Sequence, residues 1–138
     1  MLWRPTYRTL AARDVPIPPI SVPDPCVLIG GFSFAAYKEI SVWKRLMASE
    51  EATPHMVLRF FLPDPSQQDS ALMESLLPPS EHASAAIVRD QDGEWKNLVG
   101  PDSDSECFAA VLRGGPAIIM MKGIPTEDAW DAFRETFA

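Results

Sequence analysis

From Cys26 onward, short apolar runs alternate with amphipathic segments, and the spacing predicts the elements. Cys26-Val-Leu-Ile29 reads as a buried strand ended by Gly30-Gly31. Between Ala35 and Ala48, apolar residues recur at Ala36, Tyr37, Ile40, Trp43, Leu46 and Met47, with Lys38, Glu39, Lys44 and Arg45 opposite. That is the periodicity of a helix facing a core, with Ser33 as its cap. Met56 to Leu62 is the most strand-like run, closed by Pro63-Asp64-Pro65. Ser66 opens a short helix with Leu72, Met73, Leu76 and Leu77 on one face, and Pro78-Pro79 stops it.

Ala85 to Val88 is the next strand. Asp90-Gln-Asp-Gly93 forms a turn, from which Glu94 to Val99 is expected to return as an antiparallel strand. Ser103 and Glu106 have the spacing of a capping box and predict a helix through Leu112, ended by Gly114-Gly115. Ala117 to Met121 is a buried strand, and Thr126 caps a last helix lined by Ala129, Trp130, Phe133 and Phe137. Such alternation predicts an α/β domain of layers around a partly parallel sheet.

Composition narrows the class. The 138 residues suffice for one domain. Residues 26–138 form that domain, behind an arm over 1–25. Residues 14–25 hold five prolines and run extended. The net charge of −7 provides no basic face for nucleic acid or an anionic membrane. No apolar run approaches the roughly 18 residues of a spanning helix. Met1 to Arg13 carries Arg4, Arg8 and Arg13 and no acid, leaving −10 on the remainder (−7 less +3). That start resembles a mitochondrial presequence, although Pro5 interrupts it. The other placement is cytoplasmic, with residues 1–13 as an arm on the domain.

Candidate chemistry is sparse. Cys26 and Cys107 lie 81 positions apart and form no CxxC. Two buried free thiols are expected, with a single long-range disulfide as the alternative. Two histidines outside any HxH or HExxH spacing predict no metal site, and no cofactor is expected. Gly31-Phe-Ser33-Phe-Ala35 resembles a nucleophile elbow, but Ala35 replaces the second glycine and no histidine follows His82. Ser33 therefore reads as a cap. Asp90 to Gly93 lacks the later ligands of a calcium loop. Trp95, with Trp3 and Tyr7, is less obviously buried and marks a candidate contact surface.

The segments Val57-Leu-Arg-Phe-Phe61, Leu112-Arg-Gly-Gly-Pro116-Ala-Ile-Ile-Met-Met-Lys-Gly123 and Thr126 to Phe137 together resemble the thioredoxin fold over residues 26–138. They are similar to its core strand, its proline-strand-turn segment and its final helix. The resemblance implies a three-layer α/β/α domain with a mixed sheet of four to five strands. It also implies that Pro116 is cis and holds backbone open for an incoming peptide. The family's two cysteines are missing, and the chain reads Pro65-Ser66-Gln67-Gln68 in their place. Dithiol exchange is therefore not carried over. Non-redox members imply an interaction or assembly module whose protein partner meets Pro65, Ser66, Gln67, Gln68, Gly115 and Pro116. The alternative is a thiol enzyme using Cys107 or Cys26, or a hydrolase using Ser33.

Overall fold

The computed structural model describes residues 9–11, 17–23, 25–49, 55–82, 84–114 and 117–136. The strands are β1 (Thr9–Ala11), β2 (Cys26–Gly31), β3 (Met56–Leu62), β4 (Ala85–Arg89), β5 (Cys107–Leu112) and β6 (Ala117–Lys122). The helices are α1 (Tyr37–Ala48), α2 (Gln67–Leu76), α3 (Glu94–Val99) and α4 (Glu127–Glu135). One mixed sheet holds all six strands in the order β1-β6-β5-β2-β3-β4. Parallel pairing joins β2, β3 and β4, while β5 and β6 run antiparallel to their neighbours. Five strands of five to seven residues carry the sheet. The three-residue β1 closes the edge beside β6.

The central strands explain the layering. Every residue of β2 and β5 is buried, as a strand covered on both faces must be. On one face Val27, Ile29, Leu58, Phe60 and Val111 pack beneath Ile40, Trp43 and Met47 of α1 and Trp130 and Phe133 of α4. On the other, Leu28, Val57, Phe61, Phe108 and Ala110 pack against Trp95 and Val99 of α3. Ile17, Ile20 and Val22 of the proline-rich segment complete that second layer. The result is a three-layer α/β/α domain.

Two elements depart from the sequence reading. Residues 94–99 are helix α3, not a returning strand. Asp90 is the cause: its carboxylate accepts the amides of Trp95 (2.8 Å) and Lys96 (3.1 Å), satisfying donors at the helix start. Gly100, at φ 62°, supplies the left-handed cap at the other end. Residues 107–112 are strand β5, not helix. The Glu106 carboxylate accepts the Asp102 amide (2.9 Å), so the Ser103–Glu106 spacing makes a turn instead of a capping box. Six consecutive buried residues then run between β2 and β6. Arg113 and Gly114 accordingly begin a strand connection, not a helix cap.

Gly30 is set by close packing. A Cβ there would lie 2.8 Å from the Phe108 ring and 2.9 Å from Phe61. Its absence lets Phe61, Phe108 and Trp95 pack together, with Phe61 and Trp95 centroids 4.7 Å apart.

Candidate functional site

The carboxyl ends of β2, β3 and β4 lie at one end of the sheet, where parallel α/β sheets place their sites. β2 delivers the Phe32–Ala36 turn there, and β3 delivers Pro63–Ser66. Ser33 Oγ donates to the Asp104 carbonyl (2.8 Å) and accepts the Ala35 amide (3.2 Å). That hydroxyl therefore caps the turn and ties down the 100–106 loop. Both histidines sit at the other end, His55 just before β3 and His82 just before β4. Strand length separates them from Ser33 by roughly 20 Å, so no serine–histidine pair forms. His82 Nε2 instead contacts the carbonyls of Leu77 (3.1 Å) and Glu74 (3.2 Å) at the end of α2.

The thiols are equally withdrawn. Cys26 and Cys107 are both buried, and no disulfide joins them. The register pairs Cys26 with Leu112 and Cys107 with Gly31, at opposite ends of the β2–β5 ladder. The two side chains also join different core clusters, one on each face of the sheet. Burial, then the Glu39 and Glu106 carboxylates, push the Cys107 thiol well above its ordinary range. It stays protonated at neutral pH and is a poor nucleophile.

Around Cys107 the carboxylates serve the fold. Glu39 Oε1 accepts the Cys107 amide (3.0 Å), fastening α1 to β5. Glu106 is buried, and that burial raises its carboxyl above the usual range against the hydrogen bond from the Asp102 amide. The Asp102 and Glu39 charges push it the same way, while Lys122 opposes them. Lys122 Nζ donates to the Gly100 carbonyl (2.6 Å). Among the described residues, no three His, Cys, Asp or Glu side chains converge to hold a metal ion. No helix there is long and apolar enough to cross a membrane.

Four of the six predicted partner-binding residues are described. Pro65, Ser66, Gln67 and Gln68 follow β3 at its carboxyl end, where Ser66 caps α2 in a capping box with Asp69. Gly115 and Pro116 lie outside the described residues.

Trp95 is not a surface aromatic. It is 2% exposed beneath the second layer, and its indole N–H has no hydrogen-bond partner among the described residues. It lines a cleft of about 320 Å³ with Pro18, Pro19, Arg89, Asp90 and Glu94. The other two members of that proposed surface, Trp3 and Tyr7, lie outside the described residues.

Sequence reasoning missed a different surface. Leu72 and Leu76, at core-facing spacing, are 47% and 38% exposed, and none of the ten residues of α2 is buried. Only Met73 and the following Leu77 reach the first core cluster. No protein-family model, curated protein or solved structure matches the chain.

Proposed function

We propose that the chain is a thioredoxin-like module without thiol chemistry that binds a protein partner or assists assembly. The observation that carries this reading is helix α2. It starts at the Pro65–Gln68 segment, where the resemblance places the dithiol, and it offers exposed leucines in place of cysteines. Strand β6, the Lys122-Gly123 turn and the terminal helix α4 follow in the order the resemblance asks for. The strand before Pro116, where that family has a helix, is the departure. Two buried cysteines not joined by a disulfide suit a reducing compartment such as the cytoplasm.

The test is suppression of heat-induced aggregation of a model client, followed by light scattering. The expected result is suppression that survives the double change Cys26→Ser and Cys107→Ala and is lost with Leu72→Ser and Leu76→Ser. Suppression that disappears with the cysteines, in a variant shown to be folded, overturns the reading.

A further inference from the structure

We infer that the free edge of β4 accepts an extended, basic and apolar peptide as an added strand, an inference that rests on the interaction-module reading above. Among the described residues β4 pairs only with β3, whereas the opposite edge of the sheet is already taken by β1. The hydrogen-bond phase shows which groups stand open. The Ser84 carbonyl accepts the Leu58 amide (3.0 Å), and the Asp90 amide donates to the Leu62 carbonyl (2.8 Å). Bonded residues alternate along a parallel strand, so Ala86 and Val88 turn their backbone groups toward β3. Ala85, Ile87 and Arg89 turn theirs outward.

Exposed edges are normally guarded by proline, lysine or a bulge. The run Ala85-Ala-Ile-Val-Arg89 has no proline or lysine, and its register with β3 is unbroken. The helix that leads into it, α2, exposes Leu72 and Leu76. The cleft with Glu94 and Arg89 on its wall lies at the far end of the strand. It offers a pocket for a side chain of the incoming strand, as strand-adding domains do.

Charge selects the occupant. Residues 63–94, which hold β4 and the elements on either side of it, carry seven acids against one base, Arg89, for a net −6. The remaining 106 residues carry twelve acids against eleven bases, for a net −1. Within that stretch Glu81 is paired with Lys44, and Asp90 is buried on the α3 amides; Asp64, Asp69, Glu74, Asp92 and Glu94 remain against Arg89 in the stretch of chain that carries this edge. A second copy would bring two such stretches together, which like-charge repulsion disfavours. A strand with basic residues interleaved among apolar ones is steered toward it instead.

The test titrates the full chain with a short, blocked peptide of alternating lysine and valine, and with its glutamate–valine counterpart. Amide spectra and hydrogen exchange are read at each residue. The lysine peptide is expected to bind, more weakly as salt rises, and the glutamate peptide is not. Exchange at Ala85, Ile87 and Arg89 should slow by about tenfold or more, with Ala86 and Val88 little changed. Methylating alternate peptide amides in one phase should abolish binding, and in the other phase leave it intact; this control leaves the protein untouched. Binding that perturbs only α2, or that ignores the methylation phase, overturns strand addition while the module reading stands. Absence of peptide binding while client aggregation is still suppressed does the same; absence of both removes the two together. Protection of Ala85, Ile87 and Arg89 that rises with protein concentration and no peptide overturns it in favour of a second copy.

Discussion

Helices α1 and α2 are successive crossovers between neighbouring parallel strands, yet they are held in opposite ways. α1 is held by its face: Ile40, Trp43 and Met47 are buried, and Trp43 Nε1 donates to the Gly123 carbonyl (2.9 Å). The Trp43 ring also lies edge-on to Phe133, with centroids 4.9 Å apart. α2 is held by its ends, with the Ser66–Asp69 capping box at one and the His82 ring at the other. A helix fixed by its caps keeps its apolar face for something else. That contrast is the physical reason for proposing a partner surface on the α2–β4 side.

The largest expected effect breaks the α1 side. Trp43→Ala removes a buried indole and its hydrogen bond and should cost about 3–5 kcal/mol, read as a lower midpoint in urea. A cost within the scatter of surface substitutions would mean that α1 is not fastened through its face. Next, Ser66→Ala should cost about 1 kcal/mol, because α2 depends on its cap for lack of a buried face. An unchanged midpoint there would show that packing, and not the cap, holds α2.

The smallest effect concerns pH. Burial raises the Glu106 carboxyl in the folded state, so the folded protein holds that proton more tightly than the unfolded chain. The stability this group contributes is present at low pH and is lost as pH rises through its raised value. Wild type should therefore gain stability relative to Glu106→Gln as pH falls from neutrality into the carboxylate range. A constant difference between the two proteins over that range would contradict the assignment.

Most of the architecture was legible because period and punctuation agreed. Met56 to Leu62 and Thr126 with its helix fell where pattern and cap pointed together. Cys107 to Leu112 did not, because a short continuous apolar run suits a buried helix turn as well as a buried strand. Only pairing with β2 and β6, a contact between distant segments, decides it. Glu94 to Val99 went astray for a local reason: its capping carboxylate sits five residues upstream of Trp95, beyond the usual capping spacing. Gly100 was the one sequence signal for that helix. The site was less legible than the fold. Spacing shows that Leu72 and Leu76 share a face with Met73 and Leu77, but not which part of that face the core reaches. Trp95 failed in the other direction, since its burial depends on strands that follow and precede it by many residues.

The placement of Cys26 and Cys107 in different core clusters has a kinetic consequence. An alkylating reagent reaches a buried thiol only when the surrounding layer opens, so its rate measures that opening. Each face of the sheet carries its own internal clock. If the α3 layer with its proline-rich cover loosens before the α1–α4 layer, Cys26 will be modified first and Cys107 later. Equal rates would mean that the two halves of the core come apart in one event.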